Sequence, residues 1–394
     1  EYQLNMQKKE WPNFNKNLIS KINKVLSSGK INYTNGPFGK QFENNFSKFV
    51  GNRYSVAICN GTAALEVAIK SLGLPKNSEI IVSARSFFAS ASCIINTGHK
   101  PIFADVELST QNISIKEIKK KISKKTKAII CVHLAGLPCN MKEIKKLAKQ
   151  RKLKVIEDCS QAHGASINKK QVGSFGDVST WSFCTDKIIS TLGEGGMIST
   201  SNKKIYEFSK TYINHGSSLK KKYSDEFIYN KNSFGTNLRI TEIQSLAGLE
   251  QLKYIKKTQQ KREKISKNYF KIISKYKEYF YSYMPPRYIK SAWYRFYFFL
   301  NPEIKNLKKM RSKIIRSLKK DKIKCFTGSC PEIYLEKAFK KILKNKHKRL
   351  THCKILGKTS LAFDVNHTLT NKEHKQELNK INISLNKILN TKNF

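Results

Sequence analysis

The sequence predicts an α/β protein: a three-layer large domain built on a mostly parallel sheet, followed by a smaller α+β C-terminal domain. Three observations carry that expectation. Between residues 54 and 200, short apolar runs alternate with amphipathic segments, a pattern that implies βαβ crossovers and parallel strands covered by helices. The chain's 394 residues are too many for one hydrophobic core and suit a large domain plus a smaller one. Beyond about residue 290 the pattern changes to an aromatic strand set among Lys-rich helical stretches.

Taken in order, strands are expected at 54–59, 79–83, 101–106, 127–133 and 154–157, each a short run rich in Val, Ile or other apolar residues. Between them, 63–72, 115–122 and 141–151 carry helical periodicity. Two more strands, 178–183 and 196–200, lie either side of the glycine turn Gly193-Glu194-Gly195-Gly196. A long helical pattern from about 241 to 276 then links the sheet to a second unit that begins near Met284-Pro285-Pro286 and includes an aromatic strand at 293–300. The resulting division is 1–250 for the large domain with its N-terminal segment, and 251–394 for the small one. There are no internal repeats, and no linker is long enough to make the halves independent.

Composition narrows the class further. Hydrophobic residues make up 39% and aromatics 11%, enough for a core that needs neither disulfides nor metal. No apolar run approaches the roughly 18 residues of a membrane span. The chain starts at Glu1 rather than Met, which leaves a removed leader open, although no remaining segment reads as one. Nine cysteines occur singly, without a CxxC pair; an odd, scattered set fits reduced thiols in a cytoplasmic protein. Cys131, His133 and Cys139 are the nearest approach to a metal cluster, but a structural zinc site needs a fourth ligand, so no metal is expected.

The formal net charge is +47, from 75 Lys+Arg against 28 Asp+Glu. Such an excess fits either a nucleic-acid or anionic-surface binder or a heavily solvated surface. Lys greatly outnumbers Arg, and the lysines fall in pairs and triplets along apparent helix faces, such as Lys119-Lys120-Lys121. The solvated surface is therefore preferred, with a positive field that draws in small anionic substrates.

A set of motifs appears in fixed order: Thr34-Asn35-Gly36-Pro37, Cys59-Asn60-Gly61-Thr62-Ala63-Ala64-Leu65, Glu157-Asp158-Cys159-Ser160-Gln161-Ala162-His163-Gly164, Val172-Gly173-Ser174-Phe175-Gly176-Asp177, Trp181-Ser182-Phe183-Cys184-Thr185-Asp186-Lys187, Gly193-Glu194-Gly195-Gly196, Asn214-His215-Gly216 and Gly235-Thr236-Asn237-Leu238-Arg239. Each alone is weak. Together, over nearly the whole chain from about Trp11, they resemble the DegT/StrS-type sugar aminotransferases, which are fold-type-I pyridoxal-phosphate enzymes. The resemblance implies that cofactor, a nucleotide-linked keto-sugar as amino acceptor, glutamate as donor, and a homodimer with shared active sites. It also implies Lys187 as the lysine that carries the cofactor. Related keto-sugar dehydratases have His there, so Lys187 argues for amino transfer over dehydration.

The residues also make chemical sense one by one. Asn60-Gly61-Thr62 follows a strand and opens a helix, so its amides could hold a phosphate; an ordinary strand-to-helix turn looks the same. Ser182 could donate a further hydrogen bond to that phosphate, as its counterpart does in the resembled family. Asp158 ends a strand, the usual place for function in an open α/β sheet, where a carboxylate can keep a pyridine nitrogen protonated. A helix cap or surface ion pair is the alternative. Phe87 aligns with the family's stacking aromatic, although Phe87 and Phe88 by themselves read as core. Gln161 aligns with a position near the cofactor's phenolic oxygen, and Asn237 with one that reaches over from the partner subunit. His163 fits a satisfied structural histidine or a substrate contact. Arg239, Asn237 and the Trp293-Tyr294 region are candidate neighbours of the sugar nucleotide. Lys187 itself needs a lowered proton affinity, through burial or nearby positive charge, to act as a nucleophile near neutral pH. Ser83 and Ser86 replace the usual Pro and Thr, and Thr185-Asp186-Lys187-Ile188 departs from the common Pro-x-Lys-Asn form, which leaves the subfamily and its sugar open.

Overall fold

The computed structural model describes residues 11–219, 229–344 and 348–389. The apolar runs become strands β1 (Tyr54–Ile58), β2 (Glu79–Ser83), β3 (Lys100–Ala104), β4 (Thr126–Val132) and β5 (Lys154–Asp158). A short hairpin follows, β6 (Ser166–Ile167) with β7 (Lys170–Gln171), and then β8 (Val178–Ser182) and β9 (Gly196–Thr200). The seven-stranded sheet has the order β1-β9-β8-β5-β4-β2-β3. Its pairings are parallel from β3 through to β8, while β9 runs antiparallel to both β8 and β1. The connection from β8 to β9 contains no helix, so the chain turns back instead of crossing over. The fold class expected from the sequence is the one observed.

Runs such as Ile80-Ile81-Val82 and Ala128 to Val132 are buried on both sides of the sheet, which is why they are apolar throughout rather than alternating. One face packs with Val67, Ala68 and Ile69 of the helix Gly61–Ser71, and the other with Ile144, Leu147 and Ala148 of Met141–Gln150. Side chains fix where these helices start: Asn60 and Asn140 each accept an N–H from three residues on, satisfying an amide that the helix itself leaves free.

The helical pattern at 241–276 is present but interrupted. Thr241 caps the helix Glu242–Leu252 in a reciprocal capping box with Gln244, and a second helix, Ile255–Ile273, follows after Lys253-Tyr254. The second unit holds β10 (Phe280–Ser282), β11 (Ile289–Lys290), β12 (Arg295–Leu300), β13 (Cys325–Phe326) and β14 (Ser360–Asp364). Four of these form an antiparallel sheet in the order β10-β12-β14-β13. Its first strand precedes Met284, so the expected start near Met284-Pro285-Pro286 was late: β10 is only three residues long, too short to show a period. Phe296, Phe298 and Phe363 pack one face of this sheet against Tyr269, Met310, Ile314 and Leu385 from three helices.

The two units are stitched together. Strand β11 pairs with β6, and Tyr297, Phe299 and Ala362 join the same apolar cluster as Ile80, Val82 and Ile130. All nine cysteines are free thiols. Among the described residues, no helix is long and apolar enough to cross a membrane.

Candidate active site

The carboxyl ends of β1, β2, β4, β5 and β8 face one cleft of about 730 Å³. Asn60 to Ala63 follow β1, Ser86 and Phe87 follow β2, Val132 and Asp158 end β4 and β5, and Ser182 ends β8. Lys187 lies on the loop beyond β8, and the second unit closes the far wall with Tyr294, Arg295, Tyr297 and the segment from Gly328 to Cys330. A pocket at the carboxyl ends of parallel strands is the common site of function in open α/β sheets.

Asp158 is only 4% exposed, yet it lines the cleft. The Ser90 hydroxyl donates to its Oδ2 at 2.8 Å, and the Ser160 amide and hydroxyl donate to Oδ1 at 3.1 and 2.6 Å. Three donors fix the direction of its carboxylate. No helix begins after it and no cation pairs with it among the described residues, so neither alternative reading of Asp158 holds. Phe87 is 65% exposed and stands in the cleft, while Phe88 packs against Phe339. The core reading fits neither ring, since Phe88 too is 37% exposed despite its contact with Phe339.

Gly61 and Ser182 are brought into contact, since a Cβ on Gly61 would meet Ser182 Cβ at 2.7 Å. Glycine lets the start of the helix close down on β8, so the amides of Gly61 and Thr62 share one corner with the Ser182 hydroxyl. Gln161 is tied down by the Ala135 amide, which donates to its Oε1 at 2.7 Å.

Lys187 sits where the loop turns, its amide bonded to the Cys184 carbonyl. The Trp11 indole donates to the Lys187 carbonyl at 2.7 Å, so the N-terminal segment pins this loop. The Lys187 Nζ lies 3.0 Å from Asp186 Oδ1 and 3.2 Å from the Tyr294 hydroxyl. Here the sequence reading needs correcting. Burial alone would lower the proton affinity of this amine, but Tyr294 and the Asp186 carboxylate outweigh burial and raise it. Conversely, burial would raise the Asp186 carboxyl, but Lys187 and the hydrogen bond from Tyr294 bring it down to about 2.

Other expected neighbours fall elsewhere. His163 is fully buried, with its ring against Trp181 and Phe183, and it does not line the cleft; burial, then Lys187, lowers it to about 3. Arg239 donates to Asn214 at 2.6 Å, and Trp293 lines a separate small cavity. Neither reaches this cleft. Asn237 is exposed, pairs with Asn214 across an isolated bridge, and is not among the residues of the same chain that line the cleft. Ser90, Ser160, Asp186 and Arg295 were not singled out from the sequence. Asp186 alone had a visible signal, as the departure beside Lys187.

The profile of the DegT/DnrJ/EryC1/StrS aminotransferase family matches residues 12–382. The chain belongs to that family. GDP-perosamine synthase of Escherichia coli O157:H7 is 41% identical over 231 residues, a stretch covering 59% of this chain and 61% of the synthase's length. An aminotransferase from Psychrobacter cryohalolentis superposes with a TM-score of 0.93 at 37% identity, covering 96% of this chain and 99% of its own. The E. coli GDP-4-keto-6-deoxy-D-mannose-3-dehydratase, solved with hydrated PLP bound, superposes at 0.84 with 26% identity, covering 95% and 98%. The cofactor of this chain is pyridoxal phosphate. The cleft suits it, offering amides and a hydroxyl at one corner, an exposed aromatic ring, a hydrogen-bonded carboxylate and a lysine amine.

Proposed function

We propose that this chain moves an amino group from an amino acid, glutamate on the family resemblance, to the keto carbon of a nucleotide-linked sugar. Lys187 bears the cofactor. Bound in the cleft, pyridoxal phosphate supplies a carbon that exchanges amino groups with donor and acceptor and a protonated ring that withdraws electrons from that carbon. Asp158 keeps the ring nitrogen protonated by its charge. The amides of Gly61 and Thr62, with the Ser182 hydroxyl, hold the phosphate at the helix N-terminus. Phe87 covers one face of the ring, and Gln161 stands by its oxygen. The freed Lys187 amine takes a proton from one carbon and returns it to another, while Tyr294 lies beside the incoming sugar.

Asn237 completes the phosphate site from a second copy of the chain, so the working unit is a homodimer. In this proposal residues 1–250 form the cofactor-holding domain and 251–394 the smaller one, and the enzyme works in the cytoplasm. The large positive charge assists capture of an anionic nucleotide-sugar; nucleic acid is not the partner.

One observation carries this proposal: an amine, a buried carboxylate, and a helix start beside the Ser182 hydroxyl, drawn from residues 61 to 187, meet in a single cleft. Borohydride reduction of the holoprotein followed by peptide mapping is expected to put the label on Lys187, and Lys187→Ala is expected to be colourless. Mass spectrometry of a panel of nucleotide keto-sugars, incubated with holoenzyme and glutamate, should then detect an amino-sugar. A label elsewhere, or a deoxy-sugar product, defeats the reading.

A further inference from the structure

Asp186 immediately precedes Lys187, and the turn closed by the Cys184 carbonyl brings both side chains to one side. One carboxylate oxygen contacts the lysine Nζ at 3.0 Å, and the other accepts a hydrogen bond from the Tyr294 hydroxyl. Tyr294 is itself 3.2 Å from the same Nζ, so amine, carboxylate and phenol form a closed triangle. Lys187 keeps 16% of its side chain exposed and Asp186 48%, so water screens the contact from the carboxylate side while the amine is mostly enclosed.

The surrounding charges leave Asp186 free to act on the amine. Arg295 comes within 3.4 Å of Asp186, but it lies closer, at 2.7 Å, to Asp364 of β14. The Cys184 thiol is 3.3 Å from the carboxylate, and burial first of all raises its proton affinity, so it stays neutral. His163, behind the loop, is also neutral. Asp158 and Glu194 line the same cleft, but among the described residues Asp186 is the carboxylate in ion-pair contact with Lys187.

We propose that Asp186, supported by Tyr294, is a positioning residue that fastens the free Lys187 side chain as an ammonium ion and thereby sets the pH at which the amine becomes available. The inference rests on the reading of Lys187 as the cofactor lysine. An opposite charge at contact distance favours the ammonium form, and an ammonium cannot attack a carbonyl. Capture of pyridoxal phosphate requires that the ammonium first give its proton to solvent. The neutral amine then adds to the aldehyde carbon, and one water leaves.

The test follows cofactor capture by the apoenzyme, without turnover. Pyridoxal phosphate is mixed with apoenzyme, and the visible absorbance change is timed across pH from neutrality to about 10, the ordinary lysine range. Asp186→Asn should capture about tenfold faster near pH 7, the scale expected on losing one contact charge, and reach its plateau at lower pH. Asp186→Ala, a second variant without the charge, should move the same way, and Asp186→Glu should stay near the wild-type curve. A merely structural role would slow capture at every pH without displacing the curve. If both charge-free variants keep the wild-type pH dependence, the inference is overturned while Lys187 keeps its role. If wild-type apoenzyme captures no cofactor through Lys187, both readings fail.

Discussion

Gly61→Ala is the sharpest test of how the phosphate corner is built. A methyl at Gly61 would lie 2.7 Å from Ser182 Cβ and 3.2 Å from Ser182 Cα. Gly61 does not occupy the left-handed region, so its backbone conformation makes no demand for glycine. Helix propensity favours the substitution, by about 1 kcal/mol in a helix interior and less at the first turn. Against this stands overpacking, typically about 1–3 kcal/mol in a close-packed site. Ser182 cannot easily retreat. It is paired with Gly196 in β9, and a Cβ on Gly196 would itself stand only 2.5 Å from the Asn60 carbonyl. The steric cost should therefore prevail, leaving a net loss of about 1–2 kcal/mol. If the same displacement parts the Ser182 hydroxyl from the amides at 61–62, each 1.4 kcal/mol lost there weakens cofactor binding about tenfold. Thermal denaturation of the apoenzyme and an absorbance titration with pyridoxal phosphate measure the two effects. Unchanged melting and unchanged affinity would show that Ser182 yields, and the close-approach argument for glycine would be wrong.

Asp158→Asn keeps an acceptor for the Ser160 amide but removes the charge; turnover of the cofactor-saturated enzyme should fall about a hundredfold or more, the scale of a lost charge partner in a dry site. Turnover within about twofold of wild type would argue against Asp158 as the ring's partner. Mixed dimers of Lys187→Ala and Asn237→Ala subunits should regain activity that neither variant has alone, because one site per mixed dimer then combines an intact Lys187 with an intact Asn237; no gain on mixing would place Asn237 outside the partner's site. The Asp186 carboxyl falls from its usual 3.8 to about 2. A depressed acid contributes stability above its unfolded value and loses it as pH falls, here between 3.8 and about 2. Denaturant unfolding of wild type on either side of that window should show this loss, and Asp186→Asn should show less of it; equal slopes would contradict the ion pair.

The parallel core was legible because its strands are buried on both faces. Runs such as Ile80-Ile81-Val82 have no polar side to disguise them, and burial on both faces forces a continuous apolar string. The glycines at 61, 193, 195 and 196 and the acid at the end of β5 were legible as punctuation of those strands. The helix Ala89–Asn96 was harder to see. It is eight residues long and mostly small residues, so no stripe marks it. The hairpin β6–β7 and strand β11 are two residues each, below the length at which any period exists. In the site, Ser90 escaped notice for a different reason. Its bond to Asp158 joins positions 68 apart, and nothing in the local pattern distinguishes it from the neighbouring serines.

The Lys187 amine shows where local reasoning fails in sign. Burial and the chain's excess of cations both predict an amine that loses its proton readily. The contact that reverses the outcome has two parts, Asp186 next in sequence and Tyr294, 107 residues away on the second unit. Residues adjacent in sequence face apart in an extended segment, so an Asp before a Lys implies no ion pair until the turn geometry is known. Tyr294 is held at the loop by its own amide, which donates to the Ala135 carbonyl, and by apolar packing with Ile188 and Ile189, while β11 pairs with β6 close by. The junction between the units therefore does chemical as well as mechanical work. A substitution that loosens it, far from the cleft, should alter the proton affinity of Lys187 by withdrawing Tyr294, even with every cleft residue of the large domain left intact.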